Sequence, residues 1–176
     1  SDRQKSYLKG INLEGADLRG MDMRGAKLMR ANLKGAMLND TNFENATLKD
    51  VNAEGADLYG ANLKDANLGR ANLSDIDMRD ANLMRANLEA AALDNANFEN
   101  ASLQDVNADG ADLYGANFKD ANLSRANLRS THLDHANFEN ADLSFADLRE
   151  TFNYETTFEN ANLTGANLRN ARLEDA

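Results

Sequence analysis

Two histidines and a carboxylate lie close together in the sequence, at His132, Asp134 and His135. Imidazole and carboxylate groups bind transition metals and perform acid–base catalysis, so this cluster is the first candidate for chemistry. Leu133 between them belongs to an apolar column that faces inward, and the pattern implies no concave pocket around the cluster. We therefore predict no metal site and no cofactor. Since no glycine-rich phosphate loop, nucleophile elbow or pair of carboxylates in a cleft is recognisable, we also predict that the chain is not an enzyme.

Aromatic residues surround this cluster. Residues 151–155 read TFNYE, with Phe152 at a position that is usually polar and Asn153 at a position that is usually leucine. Exposed aromatic side chains among polar residues are typical of a recognition surface. The predicted surface, which we call the aromatic patch, consists of Tyr114, His132, Asp134, His135, Phe152, Tyr154 and Glu155. In the alternative, a shifted register turns Phe152 into the core and Asn153 outward, and the sequence leaves both readings open.

A five-residue repeat positions these side chains. When a central Leu, Met or Phe is taken as position i, thirty-four consecutive steps run from Leu8 to Leu173 without an insertion. Position i is Leu in twenty-four steps, and position i−2 is Ala in twenty-four. In an α-helix, a five-residue step would distribute the leucines around every face. In an extended strand, successive leucines would alternate between the two sides, so neither structure gives one apolar face. The pattern instead predicts a very short strand with i−2 and i facing inward. A corner follows at i+1 and i+2, and ten of the eleven glycines lie at i+2.

Phenylalanine recurs every twenty residues, at Phe98, Phe118, Phe138 and Phe158. Twenty residues are four steps, so we predict a coil with four sides, in which these rings project inward and stack about 4.8 Å apart. The predicted core also contains, on a neighbouring side, Leu113 and Leu133.

The repeated A(D/N)LXX unit resembles that of the pentapeptide repeat family, and the resemblance covers residues 6–175. It implies an all-β fold, a right-handed quadrilateral β-helix (a solenoid) of about eight and a half four-sided coils. This β-helix would span residues 6–176 after an N-terminal lead-in at residues 1–5. Some family members protect DNA gyrase from quinolones by resembling DNA, and chains this regular point to a bacterial source.

The charge is unevenly distributed around the predicted coil. The net charge is −10. The face built on Leu13 carries nine acids and two bases, and the face built on Leu18 carries nine acids and three bases. The candidate acidic face consists of Asp57, Asp77, Asp80, Glu99, Asp120, Glu139 and Glu159. These acids would suit DNA mimicry, or they simply keep a repetitive rod soluble. Because nucleic acid and anionic membranes attract cationic surfaces, we predict binding to neither.

The remaining features concern function and location. We predict a non-enzymatic scaffold that mediates protein–protein interaction with an unidentified partner, and the alternative is a DNA mimic acting on gyrase or another topoisomerase. The uncapped ends of a solenoid also make an end-to-end homo-oligomer a reasonable hypothesis.

The chain has no cysteine and no apolar run long enough to span a membrane, so we expect a soluble protein and favour the cytoplasm. Ser1 in place of methionine leaves a removed leader open.

Overall fold

The computed structural model describes residues 8–176, and in that part of the chain the backbone turns at every fifth residue. This part has no helix, and its strands are single bridged residues at every fifth position from Asn12 to Arg172. Each bridge is parallel and joins residues twenty positions apart, as in Asn12↔Asn32. Because four corners separate bridged residues, each coil has four sides of five residues. The predicted lead-in, residues 1–5, lies outside the described residues.

Hydrogen bonds to the backbone explain why the residue before the central leucine is usually Asn or Asp. In the step 31–35, the Leu33 N–H donates to the Asn52 carbonyl of the next coil at 2.6 Å. The N–H of Lys34, where a corner begins, donates instead to the side-chain oxygen of Asn32, two residues earlier, at 3.1 Å. A short polar side chain at i−1 thus satisfies a donor that the ladder between coils leaves over.

Every corner uses the left-handed backbone region, which glycine adopts without strain. The positive φ angles belong to twenty-four residues other than glycine and to ten glycines, which together occupy all i+2 positions from Gly10 to Asp175. Most of the former are Asn, Asp or Arg, but one is a phenylalanine, Phe145, with φ of 59°. A bulky side chain in this region is strained, and the Phe145 side chain is also 65% exposed.

The interior consists of the columns at i−2 and i, and aromatic rings stack in one of them. The ring centroids lie 4.9 Å apart for Phe98 and Phe118, 4.7 Å for Phe118 and Phe138, and 5.2 Å for Phe138 and Phe158. The first three side chains are fully buried, whereas Phe158 is only half-buried against them. Among the described residues, Phe158 has a stacking partner on one side of its ring only, Phe138.

Side chains at the other three positions form four faces, which we name after the core residues Leu8, Leu13, Leu18 and Met23. Ion pairs connect neighbouring coils on the Leu8 and Met23 faces, where an arginine at a corner binds the aspartate at the corner one coil earlier. The three pairs, which we call the corner pairs, are Arg70–Asp50, Arg85–Asp65 and Arg125–Asp105. Each guanidinium donates two hydrogen bonds to its carboxylate.

Candidate functional site

The step at residues 151–155 keeps the orientation of all other steps despite its unusual sequence. Asn153 occupies the core position and is 1% exposed, while Phe152 points outward and is 38% exposed. The Asn153 amide nitrogen donates to the Thr151 hydroxyl at 2.8 Å and to the Arg172 carbonyl at 3.1 Å. Its side-chain oxygen has no hydrogen-bond partner within residues 8–176. The structure therefore places Phe152 on the surface, within the aromatic patch.

In most steps, the side-chain oxygen of an Asn or Asp at i−1 accepts a hydrogen bond from the N–H at i+1. Phe152 occupies i−1 in this step and has no such oxygen. The N–H of Tyr154 donates instead to the Asp134 carboxylate of the preceding coil, at 2.7 Å. Asp134 thus fixes the backbone of the patch as well as contributing charge to it. Beneath it, the core residues Leu133 and Leu113 are fully buried, so the patch stands on a packed interior.

Three aromatic rings from three consecutive coils contact one another along the Leu13 face. The ring centroids of Tyr114 and His135 lie 5.1 Å apart and those of His135 and Tyr154 5.6 Å apart, both edge to face. Tyr114 is 44% exposed and Tyr154 is 43% exposed. The rings therefore form a continuous ladder that solvent reaches along its length.

A second aromatic contact lies beside this ladder. The rings of His132 and Phe152 meet edge to face with centroids 5.3 Å apart. The guanidinium carbon of Arg172, one coil further on, lies 4.9 Å from the centre of the Phe152 ring. This is cation–π geometry, and it makes Phe152 the middle residue of a column with His132 and Arg172.

Carboxylates surround both histidines. The Nδ1 atom of His135 lies 3.0 Å from Glu155. The two ring nitrogens of His132 lie 3.6 Å from Asp134 and 3.9 Å from Asp112. Each histidine thus faces its own carboxylates. In the described part of the chain, no group of three or more His, Asp or Glu residues is arranged to hold a metal ion.

The pKa of the Tyr154 hydroxyl is raised because it donates a hydrogen bond to the Glu155 carboxylate, whose negative charge also disfavours the phenolate. Tyr154 therefore presents a neutral phenol ring at the surface, one edge of which is held by the neighbouring carboxylate.

Sequence reasoning missed two residues of this site. A hollow of about 170 Å³ lies between Phe152 and Tyr154, and Arg172 and Glu174 of the next coil line it together with Asp134 and Asn153. Arg172 follows Phe152 by twenty residues and Glu174 follows Tyr154 by twenty, so the period of the coil was the signal that could have found them.

The predicted acidic face lies along the Leu18 face, next to the patch. Asp77 forms an ion pair with Arg79 at 2.6 Å, and Glu139 forms one with Lys119 at 2.9 Å. Within residues 8–176 no ion pair forms at Asp57, Asp80, Glu99, Asp120 and Glu159. Most of the predicted acids therefore form no ion pair among the described residues.

A family comparison agrees with this five-residue architecture. The family model for pentapeptide repeats matches eight copies, over residues 6–45, 38–80, 81–120, 121–152 and 154–176. The chain belongs to the pentapeptide repeat family. A comparison with curated proteins gives no significant match for this pentapeptide repeat protein.

Solved structures share its fold. HetL, a pentapeptide repeat protein involved in heterocyst differentiation regulation in the cyanobacterium Nostoc sp. strain PCC 7120, is 27% identical with a TM-score of 0.54. That similarity covers 97% of this chain and 90% of HetL. QnrB1, a plasmid-mediated fluoroquinolone resistance protein, is 20% identical with a TM-score of 0.76 in one trypsin-treated variant, over 97% of this chain and 86% of QnrB1. At that identity, QnrB1 supports the β-helical fold alone.

The structure contains no membrane-spanning helix in the part of the chain that it describes.

Proposed function

We propose that this pentapeptide repeat protein is a non-enzymatic scaffold that binds a protein partner through the aromatic patch. The observation that carries the proposal is the ladder of Tyr114, His135 and Tyr154, whose rings contact one another and remain exposed. Aromatic side chains contribute much of the energy at protein interfaces. Rings that are already held in place lose little conformational entropy when a partner binds.

The architecture supports this role. A right-handed, four-sided rod of about eight and a half coils would extend roughly 41 Å and offer a long, regular surface. HetL, which takes part in the regulation of differentiation, offers a precedent for a regulatory role for such a rod. No reacting group in the patch faces a deep pocket, which favours binding over catalysis. A soluble, cytoplasmic location in a bacterium is part of the proposal.

The patch can be tested with one variant and one matched control. Wild-type protein, Tyr154→Ala and Phe145→Ala would each be used to capture proteins from an extract of the source organism, with quantification by mass spectrometry. Phe145 is a suitable control because it is aromatic, 65% exposed and on the Met23 face, opposite the patch. We expect wild type and Phe145→Ala to retain the same partner and Tyr154→Ala to lose it. If a folded Tyr154→Ala protein retains every partner, the patch is not the binding surface.

The acidic Leu18 face favours a second function. Glu99, Asp120 and Glu159 carry charge that no ion pair compensates within the described residues, and Asp134 and Glu174 extend the negative surface onto the Leu13 face. A protein that binds DNA could accept such a surface in place of phosphates. A supercoiling assay with DNA gyrase tests this alternative: inhibition or protection by the protein supports DNA mimicry, and no effect on gyrase or a second topoisomerase removes it.

End-to-end association is the remaining proposal about partners. The bridged backbone at Asn12 and at Arg172 pairs on one side only among the described residues, and exposed edges can pair with another chain. Light scattering over a wide concentration range tests it, because a constant monomer mass would contradict association.

A further inference from the structure

The hollow between Phe152 and Tyr154 has the chemistry of a site for a cation. Two aromatic residues, Phe152 and Tyr154, line it together with two acidic residues, Asp134 and Glu174. Aromatic faces carry negative electrostatic potential, so ring faces and carboxylates attract the same kind of group. The volume of about 170 Å³ accommodates the end of one long side chain.

Arg172 shows which cation suits this site. Its guanidinium lies 4.9 Å from the centre of the Phe152 ring, and Arg172 also lines the hollow. Within residues 8–176 no carboxylate forms an ion pair with Arg172, so the ring is the group that holds it. A planar guanidinium stacks on an aromatic ring more favourably than a compact, strongly hydrated ammonium does.

The wider charge distribution favours a basic partner. The Leu13 face carries nine acids and two bases, and Arg172 is one of the two bases. Asp112, Asp134, Glu155 and Glu174 all lie within a few coils of the hollow. Such a field raises the rate at which a cationic segment encounters the face, and it weakens as salt is added.

We propose that the hollow binds an arginine side chain of a basic protein segment, which displaces Arg172 from the Phe152 ring. This proposal rests on the proposed function of the aromatic patch and names the chemistry of the partner. Arg172 is then an internal competitor: it covers the ring in the free protein and weakens binding until the partner's guanidinium replaces it.

The proposal predicts opposite effects for two substitutions in the same contact. The probe is a blocked peptide with two arginines separated by glycine, titrated into the full chain by calorimetry at low salt. Phe152→Leu keeps an apolar side chain but removes the ring, and we expect it to weaken binding roughly threefold to tenfold. Arg172→Gln removes the competitor, and we expect it to strengthen binding about twofold or more.

Two matched controls separate this contact from general electrostatics. Arg169→Gln removes the same charge from the adjacent Leu8 face, and we expect a smaller effect than that of Arg172→Gln. A peptide with citrulline in place of arginine keeps the shape without the charge, and we expect it to bind at least about tenfold more weakly. Equal binding by Phe152→Leu and wild type, equal effects of the two glutamine variants, or equally tight binding of a lysine peptide would each overturn the proposal.

The outcome is also separable from that of the proposed function. If wild type fails to bind the arginine peptide while Tyr154→Ala still loses the natural partner, the patch is an interaction site and the inference about arginine is wrong. If the peptide binds as expected but the natural partner is insensitive to Tyr154→Ala, the inference stands and the proposed role of the patch in partner binding fails.

Discussion

The side-chain amide of Asn153 donates a hydrogen bond to the hydroxyl of Thr151 at 2.8 Å, and both residues are buried in the interior. The Thr151 hydroxyl in turn donates to the Leu148 carbonyl at 2.8 Å. This chain of bonds satisfies the donors but leaves the Asn153 side-chain oxygen without a partner among the described residues. A buried acceptor without a partner is costly, so the step that exposes Phe152 also weakens the core.

Replacing Asn153 by leucine should therefore stabilise the protein. Leucine occupies the equivalent position one coil earlier and one coil later, at Leu133 and Leu173. Removal of an unsatisfied acceptor and burial of an apolar side chain together should raise the free energy of unfolding by about 1–3 kcal/mol. Urea denaturation of both proteins at neutral pH measures this change in the free energy of unfolding. A decrease in stability would show that the bonds to Thr151 and Arg172 outweigh the orphaned oxygen.

Phe138→Ala should destabilise the protein by about 3–5 kcal/mol, because it removes a fully buried ring that has stacking partners on both sides. Phe158→Ala is the matched control, since its ring has only one stacking partner and is half-buried. The loss at Phe158 should be clearly smaller when both variants are compared by denaturant unfolding. If both variants lost the same free energy of unfolding, ring stacking would not determine the size of the loss.

Acid should weaken the contact between coils at the corner pairs. The Arg125 guanidinium donates hydrogen bonds to Asp105 and holds the pKa of that carboxyl below its ordinary value of 3.8. Because the pKa is lower in the folded state, this contribution is complete above about pH 4 and disappears as the pH falls through the folded value.

Asp105→Asn measures that contribution. The variant should lose less stability than wild type when melting temperatures are compared between about pH 6 and about pH 2. An equal loss in both proteins would assign the acid sensitivity to other carboxylates.

Phe145→Asn should increase stability slightly. Phe145 has a φ of 59°, which asparagine tolerates better than phenylalanine, and its ring is mostly exposed. We expect a gain of roughly 0.5–1 kcal/mol in the free energy of unfolding. The opposing contribution is the contact of the ring with the corner at Gly165, where an added Cβ would lie 2.5 Å from Phe145 Cδ1. A net loss of stability would mean that this contact is worth more than the backbone strain.

The spacing of the phenylalanines was enough to predict the four-sided coil, because a twenty-residue period contains four five-residue steps. The preference for Asn and Asp before the central leucine was also visible, and such side chains can hydrogen-bond to nearby backbone, but the particular backbone group was not predictable. Only the backbone shows that these side chains accept the N–H of the first corner residue, as Asn32 does from Lys34. The repeat pattern also placed Asn and Asp, which tolerate turn dihedrals, at most corners without glycine, but nothing in it indicated that Phe145 would adopt a positive φ.

The orientation of Phe152 and Asn153 could not be predicted, because two costs oppose each other. Keeping the repeat in place buries an amide, whereas shifting it would break bonds between coils. In the structure, the Asn153 N–H donates to the Arg172 carbonyl of the next coil at 3.0 Å, and the Phe152 N–H donates to the Thr131 carbonyl of the preceding coil at 3.1 Å. Preserving the backbone ladder prevails over the buried amide. The placement of the Arg172 guanidinium on the ring depends on a side-chain rotamer, which the spacing of twenty does not determine.

The five-residue side has a consequence for how such chains change over time. Since one side is a quarter of a coil, the insertion or deletion of five residues leaves the core columns continuous but rotates everything that follows by a right angle. The segments 41–68 and 96–123 are nearly identical and lie eleven sides apart, so the copies point in different directions. The number of five-residue sides between two surfaces therefore sets the angle between them around the rod axis. It does so independently of what each surface recognises.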